Sequence, residues 1–321
     1  MESYFETAAR AVHARRRIRN HIYQTPLVPS RIPSSDANTR LLFKLENFQT
    51  TGSFKLRGAM SKFSMHRDHG RLITASSGNH GIGAAFASQA LGKPLTIVVP
   101  ETVVPEKLEK IKSYGIDVIL HGSETGLAEQ HAQELAKSEG YTYISPYNDP
   151  DIIAGQGTIG LEILEQCEKV DNIFVSMGGG GLISGIGACF KAFSPRTKVY
   201  GVSATNSKAL AESMVAGRVV DTVHLDTLAD AVAGGIDVDT ITLPLAMSVI
   251  DRVIECDEME IRLALKELAF KENMVVEGSA ALALAGFRKV ADGVAGETSV
   301  VIICGGNFNS DIIMNAISSH D

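Results

Sequence analysis

Short, almost wholly apolar runs separated by helix-length stretches recur along the chain: LLFKLE (41–46), LITAS (72–76), LTIVVP (95–100), DVIL (117–120), NIFVSM (172–177), KVYGVS (198–203) and SVVIIC (299–304). Runs of this kind lack the in–out alternation of a half-exposed strand, so each has to be covered on both faces. Helical patterning fills the gaps, at Ser53–His66, Gly81–Leu91, Glu124–Ser138, Thr158–Cys167 and Glu258–Glu272 among others. The alternation predicts an α/β chain of parallel sheets covered by helices. Any ligand then belongs beyond the carboxyl ends of the strands. At 321 residues, the chain has length for about two domains.

Composition removes several function classes. The net charge is −7, and Arg15–Arg16–Arg17 is the longest basic block, which argues against nucleic acid as a partner. Cys167, Cys189, Cys256 and Cys304 lie far apart, with no C-x-x-C spacing. A disulfide framework or zinc knuckle is therefore not expected, and a reducing, cytoplasmic setting is. The N-terminus has basic residues but no apolar stretch of signal-peptide type. Residues 173–190 are uncharged and long enough to suggest a membrane span, but they hold six glycines. A soluble strand–turn–helix is the expected form there, and no membrane partner is expected.

Glycine, with 30 residues, is clustered where strands should give way to helices. In Thr50–Ala59 (TTGSFKLRGA), Ser53 is a candidate N-cap that would place Lys55 in the first turn of its helix. The positive end of the helix dipole there would favour the neutral, nucleophilic amine that carbonyl chemistry needs. Taken alone, Lys55 reads more readily as a solvated surface lysine. Ser76–Gly81 (SSGNHG) follows a strand and opens an Ala-rich helix. It could cradle a carboxylate or phosphate, or simply cap the helix. His80 suggests a general base, although a lone turn histidine is more often structural. No G-x-S-x-G elbow is present.

Gly178–Gly181 places four bare amides before a helix, where an anion, above all phosphate, would bind; a glycine-rich packing turn is the lesser alternative. The run fails both G-x-G-x-x-G and G-x-x-x-x-G-K-[ST]. Cys304 closes the last apolar run beside Gly305–Gly306–Asn307, where a buried cysteine is usually core. Together these clusters supply an imine-forming lysine, a phosphate cup and a carboxylate cradle. That inventory suits pyridoxal phosphate acting on an amino acid.

SFKLRGA (53–59), SSGNHG (76–81), AGQGTIGLE (154–162), GGGGL (178–182) and CGGN (304–307) stand in order across most of the chain. In this set the sequence resembles the fold-type II pyridoxal-phosphate family of serine/threonine dehydratases and serine racemase. The resemblance to the cysteine-synthase branch is weaker, because SFKLRGA replaces that branch's lysine motif. The resemblance implies a tryptophan synthase beta-like fold of two open, mostly parallel twisted sheets flanked by helices. It also implies a small domain at about 47–146 carrying the substrate-carboxylate loop, inserted into a large cofactor-binding domain made of 1–46 and 147–321.

For the site, the resemblance implies that Lys55 carries the cofactor as an imine. Phe54 would pack on the ring, Asn79 would bond its hydroxyl, Gly178, Gly179, Gly180 and Gly181 would bind its phosphate, and Cys304 would face its nitrogen. Ser76, Ser77, Asn79 and His80, largely through backbone amides, would hold the substrate carboxylate. Ser77 also matches the acid/base that racemases use on the face opposite Lys55. The implied reaction is an α,β-elimination. Lys55, displaced by the substrate amine, removes the α-proton, and the β-hydroxyl leaves with a proton from the cofactor phosphate. The product hydrolyses to a 2-oxo acid and ammonia. A thiol is a weak donor, so Cys304 would leave the ring a weaker electron sink and favour prompt loss of the β-substituent.

Several positions depart from the family pattern. Metal-binding members have a glutamate where this chain has Ser203 and further ligands near Ser207 and Ala209, so no metal is expected, with Asp226 and Glu212 read as surface acids. The usual A-D-G is Ala229–Asp230–Ala231, and a proline common after Glu277 is Gly278. Both changes leave the substrate open among threonine, serine and other hydroxy-amino acids such as hydroxyaspartate or a phenylserine. Opposite the substrate side chain, an arginine would favour a β-carboxylate and an apolar wall a methyl or phenyl group. No regulatory block follows SVVIIC, which points to a catabolic enzyme; a homodimer is expected. A racemase is the alternative within the family, and a nucleotide-binding oxidoreductase the alternative outside it, disfavoured by the broken G-x-G-x-x-G.

Overall fold

Most of the apolar runs become strands buried on both faces, while DVIL (117–120) becomes an edge strand with exposed ends and a half-buried middle. The computed structural model describes residues 3–32, 36, 38–66 and 70–318. Its strands are β1 (Leu27–Pro29), β2 (Arg40–Leu45), β3 (Leu72–Ala75), β4 (Leu95–Val99), β5 (Asp117–Leu120), β6 (Thr142–Tyr143), β7 (Asn172–Ser176), β8 (Lys198–Ala204), β9 (Arg252–Cys256) and β10 (Thr298–Ile303). They form a six-stranded sheet in the order β1-β2-β10-β7-β8-β9 and a four-stranded sheet in the order β5-β4-β3-β6. Among the described residues, β1–β2 is antiparallel and the other pairings are parallel. The larger sheet draws strands from both ends of the chain, and the smaller one draws all of its strands from 72–143.

The helices are α1 (Tyr4–Ile18), α2 (Lys55–Met65), α3 (Asn79–Leu91), α4 (Pro105–Lys112), α5 (Thr125–Glu139), α6 (Pro150–Gln166), α7 (Gly181–Phe193), α8 (Ala209–Ala216), α9 (Thr242–Val249), α10 (Glu258–Phe270), α11 (Gly278–Val290) and α12 (Ser310–Ser318). Residues 173–190 form the expected strand, glycine turn and helix. No helix among the described residues is long and apolar enough to cross a membrane.

The helix expected at Thr158–Cys167 begins eight residues earlier. Asp149 caps it by accepting from the amides of Asp151 and Ile152, and Pro150 holds the first helical position. The glycines that resemble a loop lie inside this helix because neighbouring backbones press against it. A Cβ on Gly155 would lie 2.4 Å from the Arg57 carbonyl, and one on Gly185 would lie 2.3 Å from that of Ile153. α6 thus lies backbone-to-backbone against α2, which begins with Lys55, and α7, which begins at the glycine run.

A buried charge network reinforces this junction. Arg57 donates to Glu46 Oε2 (2.7 Å) and Oε1 (2.9 Å) and to Glu162 Oε1 (2.6 Å) and Oε2 (2.8 Å). Lys44 donates to Glu162 Oε2 at 2.6 Å and to the Thr25 carbonyl at 2.8 Å. All four charged side chains are buried and their charges balance, as buried ions require. Burial alone would depress the Arg57 pKa, but the two carboxylates hold it above the ordinary value.

Candidate active site

Lys55 is the first residue of α2, but Ser53 does not cap it. Phe54 takes the N-cap position already in helical conformation. Ser53 is instead drawn into a bridge with Gly305 at the end of β10, and its hydroxyl is buried without a partner. The Phe54 amide donates to the Cys304 carbonyl at 3.0 Å, tying the start of α2 to that strand end. Lys55 is not a solvated surface lysine. Burial pushes its pKa down to about 8, against the opposing fields of Cys304, Glu277 and Glu129. Burial, not the helix dipole expected from sequence, is the chief cause. Its Nζ lies 5.3 Å from the Phe54 ring centroid and donates to the Pro146 carbonyl at 2.9 Å.

The next residue, Tyr147, joins Lys55 to the glycine run. Its ring would lie within 2.5–2.7 Å of a Cβ on Gly179, while Val232 crowds Gly178 at 2.9 Å. Gly180 has φ +85°, open to glycine at little cost. Packing therefore requires glycine at this turn, whatever the turn binds. Among the described residues, the amides of Gly178, Gly179 and Gly180 donate no hydrogen bond, and they stand at the positive end of the 13-residue α7.

The Ser76–Gly81 turn closes the other side. Gly78 is the N-cap of α3, and its amide donates to Ser76 Oγ at 3.2 Å. Ser76 and Ser77 are half-buried. The first-turn amides of α3 have no intrahelical acceptor and are free for a carboxylate. The His80 side chain turns away from this turn. Its Nε2 lies 3.0 Å from Thr74 Oγ1, and burial first, with the Lys55 charge, pushes its pKa down to about 3. It is a neutral core imidazole, so only its backbone remains for ligand binding.

Glu277 is the central residue that the sequence reading treated only as a landmark. It precedes α11 without capping it, and its carboxyl turns inward. Asn79 Nδ2 donates to both its oxygens at 3.0 Å, the Asn307 amide donates at 3.2 Å, and Cys304 Sγ lies 3.8 Å from Oε1. Burial pushes its pKa up to about 7. Burial and the neighbouring Glu277 also hold the Cys304 thiol well above its ordinary value, so it stays protonated. The signal available in sequence was an acid between the apolar VV and the small residues GSAA. Gly278 replaces the family's common proline where a Cβ would lie 1.9 Å from the Leu228 carbonyl.

The model of the family described as "Pyridoxal-phosphate dependent enzyme" matches residues 18–305. The chain belongs to that family. Pyridoxal-phosphate dependence and the fold-type II architecture follow from membership. The chain is 36% identical over 308 residues to the L-threonine ammonia-lyase of Thermotoga maritima, covering 95% of this chain and 76% of that protein. The processed form of threonine deaminase isoform 2 from Solanum lycopersicum superposes with a TM-score of 0.92 at 31% identity, covering 98% of this chain and 87% of that one. Maize serine racemase superposes at 0.88 and 29% identity, covering 97% and 96%.

The residues of this pyridoxal-phosphate dependent enzyme fit its cofactor. A phosphate needs unpaired donors, and the amides of Gly178–Gly180 supply them. An amine that bonds a carbonyl carbon must shed its proton near neutral pH, and Lys55 at about 8 can do so. Ser203, expected to mark the loss of a metal site, lies within β8, and Ser207 Oγ bonds His224 Nδ1 at 2.8 Å. No group of three or more His, Cys, Asp or Glu among the described residues is arranged to hold a metal.

Proposed function

We propose that this enzyme is an ammonia-lyase that eliminates water from a β-hydroxy amino acid of the threonine/serine type, giving a 2-oxo acid and ammonia. The observation that carries the reading is Lys55, a half-buried amine with its pKa pushed down to about 8, whose Nζ donates to the Pro146 carbonyl beside the Tyr147 that packs on the glycine cup. Pyridoxal phosphate held there supplies an electron sink for the α-carbon. Gly178–Gly181 bind its phosphate, Phe54 packs beside it, and Asn79 and Cys304 address its ring. The first-turn amides of α3, with Ser76 and Ser77, fix the substrate carboxylate. Lys55 Nζ takes the α-proton, and loss of the β-hydroxyl completes the elimination. The unsaturated amine released hydrolyses in water to the oxo acid. Cys304, a protonated thiol turned toward Glu277, offers no negative charge to hold a proton on the ring nitrogen. Electron withdrawal stays weak, favouring departure of the hydroxyl.

A second reading, racemisation, rests on Ser77, which is half-buried in the Ser76–Gly81 turn and matches the serine that racemases use as an acid/base on the face opposite the lysine. Incubation of the holoenzyme with L-threonine and L-serine separates the two. The lyase reading expects 2-oxo acid with ammonia, and D-serine without oxo acid contradicts it. The same reading divides the chain into a small domain at 47–146 within a large domain of 1–46 and 147–321. It places the enzyme in the cytoplasm as a homodimer.

A further inference from the structure

The Ser76–His80 turn and Lys55 account for the substrate's carboxylate and α-carbon. Its side chain must then face whatever else borders the Lys55 amine. Tyr143 ends β6 at the carboxyl edge of the smaller sheet, and three residues later the Pro146 carbonyl accepts from Lys55 Nζ at 2.9 Å. Glu129 lies in the second turn of α5, at that same edge, and Tyr143 Oη donates to its Oε1 at 2.8 Å. On the other side of Pro146, Tyr147 Oη accepts from the Asp237 amide at 2.7 Å, and Asn148 Nδ2 donates to Asp237 Oδ2 at 2.9 Å. The stretch flanking Pro146 thus brings two phenols and two carboxylates together, rather than an arginine.

Glu129 is incompletely compensated. A carboxylate has about four acceptor positions, and the hydrogen bond to Glu129 is that of one phenol. Burial pushes its pKa up, Tyr143 and the charge of Lys55 pull it down, and Asp237 pushes it up again. The cation whose charge acts on Glu129 is Lys55, which the lyase reading commits to the cofactor. A substrate that brings its own cation would complete the site, a methyl group would leave Glu129 unfilled, and a second carboxylate would meet like charge.

Resting on that lyase reading, we propose that Glu129, oriented by Tyr143 and backed by Asp237, selects a β-hydroxy amino acid whose side chain bears a positively charged nitrogen and rejects one bearing a carboxylate. An amine or guanidinium placed there donates to Glu129 in a charge-assisted bond. Glu129 acts on substrate choice and leaves proton transfer to Lys55.

The test compares holoenzyme kcat/KM for 2,4-diamino-3-hydroxybutyrate, threonine and 3-hydroxyaspartate. Alongside it, the binding of 2,4-diaminobutyrate and aspartate is measured, since neither has a β-hydroxyl to lose. A charge-assisted bond predicts a preference for the diamino compound over its acidic counterpart of about ten- to a hundred-fold in both measurements. Glu129→Gln should reduce that preference to near unity, and Tyr143→Phe should reduce it less. Equal or better use of the acidic compounds by the wild type overturns the proposal even where a variant fails to fold. So does a preference that survives Glu129→Gln. Preferential binding of 2,4-diaminobutyrate with no oxo acid from any substrate would instead sink the lyase reading and leave the charge selection standing.

Discussion

Burial sets the charge states at this site, and it acts oppositely on neighbouring groups. It strips the proton from Lys55 more readily, keeps His80 neutral, and keeps a proton on Glu277 up to about pH 7. For Glu277 the sign follows from linkage. Between about 4.5 and 7 the folded protein holds a proton there that the unfolded chain has lost, so stability falls as the pH rises through that window. Glu277→Gln should flatten the slope, the wild type losing up to about 3 kcal/mol more than the variant across it. Denaturant midpoints at pH 5 and pH 7.5 for both proteins measure this. Lys55, the glycine run and the serine turn stood out in sequence because each lies in a short local motif of neighbouring residues. Glu277 and Glu129 were not. The partner of Glu277, Asn79, is 198 residues away, and only the fold makes an ordinary-looking acid into a buried one.

At the scale of elements, seven of the ten strands among the described residues were legible to within about a residue at their ends, since continuous apolar runs have one solution in a covered parallel sheet. β1 and β6 are too short to form such a run, and β9 is interrupted by Arg252 and Glu255. Helix starts were less so. Ser53 lost the cap to a tertiary bridge, and α6 extended through glycines that intrinsic propensity would place in a loop. Those glycines serve contact with other helices. Gly155→Ala would press a methyl against the Arg57 carbonyl and the Gly58 Cα, at 2.4 and 2.6 Å. Overpacking of this kind costs about 1–3 kcal/mol or more. It should also displace the start of α2, lowering cofactor affinity as well as the melting temperature. Absorbance titration of the variant with pyridoxal phosphate checks the first effect, and thermal unfolding the second.

For the whole molecule, the Arg57–Glu46–Glu162–Lys44 network pins α2 to the β2 end and to α6, holding Lys55 where the two sheets meet. Arg57→Met would leave two carboxylates buried with one lysine, a loss of about 3–5 kcal/mol by the behaviour of broken buried pairs. Urea unfolding should show the drop whether or not cofactor is present; an unchanged midpoint would mean that the network does not anchor the junction. The SFKLRGA motif made Arg57 visible, but its network partners come from two other stretches of chain, Lys44–Glu46 and Glu162. Everything else depends on Lys55 as the cofactor's attachment point. Borohydride reduction of the yellow holoenzyme followed by peptide mass mapping tests this most directly. The phosphopyridoxyl mass should fall on the peptide containing Lys55, and Lys55→Ala should be colourless and unlabelled. A label on another lysine, or a Lys55→Ala protein that keeps its absorbance, would contradict it.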